Sequence, residues 1–268
     1  MILWISLILL ILALSTLLWM RKEATGYRVR NEIVESQSIP ECFDGYKILF
    51  ITDIHRRKLT DEKLLELNLK PDCILLGGDI TEKGVPWERV SSNLQSLSRI
   101  APVYGVLGNH DLYAGKEKLE ALFNKFGLTL LKDKTVRLEK NGLSIALSGV
   151  MQPATRKHPY SNFKGHAKKD QYHIMLVHDP IWVMGKRNIF ADLVLAGHTH
   201  GGQIVLPLFG AVRLEGFYKK YSAGWYNLIQ KSSAAVPLLI SRGFGTSHIP
   251  LRLGSPSELH LITLLKKP

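Results

Sequence analysis

The stretch "YKILFITDIH", residues 46–55, is an apolar run whose first charged or imidazole side chains after Lys47 are Asp53 and His55. A run of that length and composition reads as a buried strand, and its carboxyl end carries two side chains suited to chemistry. Working outward, "TDEKLLELNL" (60–69) has the spacing of a short amphipathic helix, Pro71 closes it, and "CILLGGD" (73–79) is a second buried strand ending in Asp79. The plan repeats, with "VSSNLQSLSRI" (90–100) helical and "PVYGVLGNHD" (102–111) a strand running into Asn109, His110 and Asp111. Strands alternating with helices at intervals of roughly 25–30 residues describe βαβ units, whose ligands gather at the strands' carboxyl ends.

The second half is richer in strands. "GLTLLKDKTVRLEKNGLSIALSGV" (127–150) alternates about Asn141-Gly142 and reads as a hairpin. "YHIMLVHDP" (172–180) and "LVLAGHTHGG" (193–202) are strands that end in His178 and in the pair His198 and His200. "PLLISRGFGTSHIPLRLGSPSELHLITLLKK" (237–267) reads as two more strands around a glycine-rich loop. With no repeat and no linker, residues 46–268 form one domain.

Asp53, His55, Asp79, Asn109, His110, Asp111, His178, His198 and His200 thus stand at strand ends and include half of the chain's 10 histidines. Taken singly, Asp53 and Asp79 suit helix caps and Asn109 suits a turn. Taken together they suit a metal site, because aspartate and histidine are costly to bury unpaired. Two histidines two apart in a glycine-rich turn can aim both rings at one point. Cys42 and Cys73 are too few for a disulfide framework or a thiolate cluster, so nitrogen and oxygen are the available donors.

Residues 1–20, "MILWISLILLILALSTLLWM", carry no charged side chain and match the length of a membrane-crossing helix, with Trp4 and Trp19 near its two ends. Apolar residues continue past the weak "ALS" cleavage candidate, so the segment reads as one span, followed by a juxtamembrane stretch over 21–45. Arg21, Lys22, Arg28 and Arg30 follow it, which puts the remainder on the cytoplasmic side of the cell membrane by the positive-inside rule. The net charge of +12 lies outside the span, with clusters at Arg56, Arg57 and Lys58 and at Lys164, Lys168 and Lys169. Lipid headgroups are the first expected anionic partner and nucleic acid the second.

The ordered blocks "DIH", "GGD", "GNHD", "VHDP" and "GHTHGG" resemble those of the calcineurin-like metallophosphoesterases, and the match runs across 53–203. "KPDCILLGGDI", "VYGVLGNHDLYAG", "GHTHGGQI" and "SRGFGTSHIPLRLGSPSELHLITL" are similar to a membrane-associated branch that includes phosphodiesterases and UDP-2,3-diacylglucosamine pyrophosphatases. The resemblance implies an α/β fold, a two-sheet β sandwich flanked by helices, with two divalent metal ions at the sheets' edge. By the same resemblance Asp53, His55 and His200 hold one ion, Asn109, His178 and His198 hold the other, and Asp79 bridges. Paired ions roughly 3.5–4 Å apart would turn a shared water into hydroxide near neutral pH for attack on a phosphodiester or pyrophosphate. His110 would serve the leaving oxygen and Asp111 would orient it. Mixed nitrogen and oxygen donors suit Mn²⁺, the first expectation, and also Zn²⁺, Fe and Ni²⁺.

Arg242, His248 and Arg252 fit either the last strands or a second phosphate or headgroup contact. His158, His166, His173 and His260 match no block and are assigned to surface or core. The expected substrate is a phosphoester, lipid-linked or nucleotide-linked, reached at the bilayer. A nuclease is disfavoured because aromatics do not interleave with the basic clusters, and a phosphomonoesterase acting in water explains the apolar span less well. A non-catalytic binding module would have lost ligands, and none is missing.

Overall fold

The computed structural model describes residues 1–153, 160, 163–168, 170–184, 186, 188–229 and 235–268. It begins with α1 (Ile2–Thr25), which buries only Ala24 and is long and apolar enough to cross a membrane. Residues 28–36, read from the sequence as part of a polar juxtamembrane stretch, instead form β1 (Arg28–Ser36), which runs parallel to the last strand.

The domain then alternates. β2 (Tyr46–Ile51), α2 (Asp61–Leu67), β3 (Cys73–Gly77), α3 (Trp87–Ser98), β4 (Val103–Val106), α4 (Asn109–Lys125) and β5 (Thr129–Leu130) follow in order. Thr60 caps α2 by accepting the Lys63 amide. Next come the hairpin β6 (Lys134–Lys140) and β7 (Leu143–Gly149), turning at Asn141-Gly142, then β8 (His173–Leu176) and β9 (Leu193–Ala196). A two-stranded hairpin, β10 (Val205–Leu206) and β11 (Gly210–Ala211), precedes α5 (Phe217–Lys220). β12 (Gly224–Ile229), β13 (Ala235–Ile240) and β14 (Glu258–Lys266) complete the chain.

Two six-stranded sheets result, one ordered β1-β14-β2-β3-β4-β5 and the other β12-β13-β9-β8-β7-β6. Their centres are parallel, β2 to β5 in one and β13, β9, β8 and β7 in the other. Alternate side chains of each strand meet between the sheets: Ile48, Phe50 and Leu75 pack there with Leu147, Ile174, Leu176, Leu195 and Leu239. The intervening residues Leu49, Ile51, Ile74 and Leu76 face outward onto Leu64, Leu94, Leu97, Leu119 and Phe123 of the helices. Burial on both faces explains why these strands read as unbroken apolar runs. The second sheet's outer face packs under Trp182, Val183 and Ile189.

This is a two-sheet sandwich flanked by helices. Because β2, β3, β4, β8 and β9 all leave their sheets at one edge, the loops that follow them converge.

Candidate metal centre

The converging loops bring all seven sequence-predicted ligands together. His55 Nε2 lies 3.0 Å from His200 Nε2, and Asp53 Oδ1 lies 3.5 Å from His200 Nε2 and 3.9 Å from His55 Nε2. Beside this trio, His178 Nε2 lies 3.1 Å from both Asn109 Oδ1 and His198 Nδ1. Asp79 stands between the groups, its Oδ2 3.7 Å from His55 Nε2 and 3.4 Å from His178 Nε2. One carboxylate oxygen is therefore shared by two nests of nitrogen and oxygen donors.

Tight turns make this convergence possible. Asp53, His55, Asp79, His198 and His200 all adopt positive φ, between 50° and 71°. That conformation is costly for side-chain-bearing residues and is held by the surrounding packing. Gly78, at φ 88°, leaves room for a ring: a Cβ there would fall 2.6 Å from His178 Nδ1.

Each imidazole is also held from behind. Glu82 Oε2 lies 3.0 Å from His55 Nδ1 and is itself tied to Arg56. The Gly77 carbonyl lies 2.9 Å from His178 Nδ1, and Asp179 Oδ2 lies 3.6 Å from His198 Nε2. Tyr218 donates to Asp179 at 2.8 Å, and Thr52 donates to Asp53 Oδ2 at 2.8 Å. Such outer partners fix the ring orientation of a metal-binding histidine. Sequence reasoning did not assign Glu82, Asp179 or Tyr218. Asp179 sits inside the quoted "VHDP" and Glu82 three residues after Asp79, whereas no local signal marks Tyr218.

The electrostatics suit a cation. Burial, with His55 and the Arg252 guanidinium nearby, holds His200 well below the usual imidazole range, so the ring is in its neutral, ligating form. Burial opposes the charge on Asp79, but the neighbouring His178 and His55 outweigh it and keep the carboxylate ionised. Two buried imidazole nitrogens 3.0 Å apart, beside two carboxylates and an amide oxygen, form a donor set that fits divalent ions.

His110 borders this cluster. Its backbone amide donates to Asp79 Oδ1 at 2.8 Å, its ring meets that of His55 edge-on at 4.9 Å, and its side chain remains 30% exposed. Asp111 is fully buried and accepts the amides of Thr81 and Gly108, each at 2.8 Å. Burial and the nearby Asp79 push its carboxyl up to about 7. Its contacts fasten the first turn of α4 to the loop after β3, and so place Asn109 and His110 through the backbone.

A cavity of about 410 Å³ opens onto the cluster, lined by Asp79, Asn109, His110, His198 and His200 and by Ile204, Leu214, Tyr218 and His248. A larger hollow of about 590 Å³ beside α2 and α3 is lined by Leu64, Leu65 and Ile100 and has no part of the cluster.

The remaining candidates divide. Arg252 is fully buried and spends its guanidinium on the carbonyls of Gly245, Ser255, Arg242 and His200. Arg242 pairs with Glu258 at 3.3 Å, and His248 is exposed on the cavity rim. Arg57, read as one of a basic surface cluster, turns inward, stacks on Phe244 at 3.9 Å and donates to the carbonyls of Ala24 and Thr25. His173 and His260 are buried and His166 is exposed, while His158 and Lys169 lie outside the described residues.

The calcineurin-like phosphoesterase pattern matches residues 46–202. The chain is 34% identical over 221 residues to a Bacillus subtilis (strain 168) protein named YpbG, covering 81% of this chain and 80% of that one. It is 28% identical over 243 residues to the metallophosphoesterase YkuE of the same organism, with 86% and 83% covered. It is also 28% identical over 233 residues to the phosphodiesterase YaeI of Escherichia coli (strain K12), with 82% of each covered. With the matched pattern spanning more than half of its length and ending just past His198 and His200, this chain belongs to the calcineurin-like phosphoesterase family and is a metal-dependent phosphoester hydrolase.

Proposed function

We propose that the protein is a membrane-anchored phosphodiesterase or pyrophosphatase with a dinuclear centre. The observation that carries this reading is the position of Asp79, whose Oδ2 lies within 3.7 Å of nitrogens from both histidine groups. Asp53, His55 and His200 would hold one ion, Asn109, His178 and His198 the other, and Asp79 would bridge. Divalent ions bound there supply Lewis acidity toward phosphate oxygens and a lowered pKa for water, with Mn²⁺ the first to test and Zn²⁺, Fe and Ni²⁺ after it.

The chain's own residues do the rest. His110 reaches the cavity from the first turn of α4, where a proton on its partly exposed ring can be delivered to a departing oxygen. Asp111 positions that turn through its two amide contacts. Ile204 and Leu214 give the cavity apolar walls, which exclude water and suit an ester with an apolar portion.

The helix α1 serves in this reading as a single-pass anchor, and the basic residues after it support a catalytic domain on the cytoplasmic side. A substrate resident in the bilayer, lipid-linked or carrying a nucleotide, accounts for both the anchor and the net positive charge. The name of YaeI supports a diester over a monoester.

The experiment is hydrolysis by the full chain in detergent of bis-p-nitrophenyl phosphate, p-nitrophenyl phosphate and a UDP-linked glycolipid, with Mn²⁺ or EDTA, alongside metal counting by mass spectrometry. Two ions per chain and metal-dependent cleavage of a diester or pyrophosphate are expected. One ion per chain, or a preference for the monoester, would overturn the assignment. A C-terminal reporter scored as external would overturn the orientation.

A further inference from the structure

Arg252 laces three segments together. Its backbone amide donates to the Met20 carbonyl in α1 at 3.2 Å, while its guanidinium donates to the carbonyl of His200 at 3.3 Å. The next residue, Leu253, bridges Ile204 at the base of the β10–β11 hairpin, where the Val205 amide donates to the Leu253 carbonyl at 2.7 Å. The exit of the apolar helix, a ligand loop of the metal centre and the hairpin are therefore joined through two consecutive residues.

The hairpin tip is apolar and uncovered. Leu208 is 103% exposed and Phe209 85%, and Val212 and Ile249 extend the same apolar composition along the cavity rim. Isolated exposed apolar residues are ordinary, but a cluster of them on a tight turn marks a surface that meets something apolar. Arg213, Lys219 and Lys220 follow on the exposed side and outnumber the exposed Glu215 among them, supplying net positive charge complementary to anionic headgroups.

We infer that the β10–β11 hairpin is a second membrane contact: Leu208 and Phe209 enter the interfacial zone of the bilayer that α1 crosses. This holds the cavity mouth at headgroup depth. It rests on the reading of α1 as a membrane span. The hairpin base supplies Ile204 and Val212 to the cavity that contains His110 and His198, so an ester with a lipid tail can reach the cluster along the hairpin without leaving the bilayer.

The test labels single cysteines with an environment-sensitive fluorophore in the full chain carrying Cys42→Ser; Cys73 is buried and stays. Leu208→Cys samples the hairpin, Leu10→Cys the helix, and Asn141→Cys the β6–β7 turn. Each variant is reconstituted in phosphatidylethanolamine–phosphatidylglycerol vesicles with and without doxyl-labelled lipid. The expected result is a blue shift and loss of emission to the doxyl quencher at positions 208 and 10, and neither at 141. Quenching at 10 with none at 208 overturns the hairpin contact alone. No quenching at either position overturns the anchor reading and the hairpin with it. A blue shift at 208 that lipid does not quench and that grows with protein density means that a second copy covers the hairpin, which also overturns the proposal.

Discussion

The Nε2 atoms of His55 and His200 face each other across 3.0 Å with both rings buried. A single proton can satisfy that pair, but a cation bound between the rings and Asp53 satisfies all three at once. Chelation should therefore lower the melting temperature and added Mn²⁺ should restore it. At a free metal concentration one hundred times the dissociation constant the gain is about 2.7 kcal/mol. Scanning calorimetry on chelated and reloaded protein measures this, and a melting temperature indifferent to metal would sink the ligand assignment.

Asp79 belongs to both donor groups, whereas Asn109 belongs to one. Asp79→Ala should strip the protein of both ions, while Asn109→Ala should leave the ion held by Asp53, His55 and His200. Metal counting on folded, desalted protein separates the two. Equal metal content in both variants would show that Asp79 does not bridge.

His110 touches the cluster through its backbone amide and the edge of its ring, and its ring nitrogen, although near His55 and Asp79, is not among the ligands of the proposed centre. His110→Ala should keep its metal and lose about 10²–10⁴-fold in turnover on esters with poor leaving groups, the range for a missing general acid. The loss should shrink on p-nitrophenyl esters, whose leaving group needs no proton. A uniform loss on both kinds of ester would assign His110 to positioning.

The site was legible in the sequence to the extent that strand ends carry it. Each of the seven candidate ligands follows an apolar run whose two buried faces leave little ambiguity about where the strand stops. The outer partners were less legible, because Glu82 reaches His55, and Tyr218 reaches Asp179 behind His198, through tertiary contacts. The positive φ of five of these residues has only a faint signature, since Asp and His enter that region more readily than other side chains but far less readily than glycine. In the fold, β1 was missed for a related reason. "RVRNEIVES" buries only Val34 and pairs as an edge strand, so neither face had to be apolar. The two-residue strands β5, β10 and β11 are too short to show any period.

His260 on β14 lies between two carboxylates, Nδ1 3.1 Å from Glu32 Oε1 and Nε2 3.3 Å from Glu258 Oε1. Burial pushes the Glu258 carboxyl up, but His260 and the amide and guanidinium of Arg242 outweigh it and hold the group at about 2. For His260, burial lowers the pKa, and contacts with Glu258 and Glu32 outweigh it, raising the imidazole above its usual range. The signs set a window. Glu258 contributes fully above its unfolded pKa, near 4.5, and that contribution is lost as pH falls toward 2. His260 contributes fully below its unfolded value, near 6.5, and that contribution is lost as pH rises through its higher folded value. The destabilisation caused by His260→Gln should be greatest between about pH 4.5 and 6.5 and decline on either side. Urea unfolding of parent and variant across pH 3–9 measures the difference, and a penalty that does not vary with pH would mean that His260 contributes by packing and not by charge.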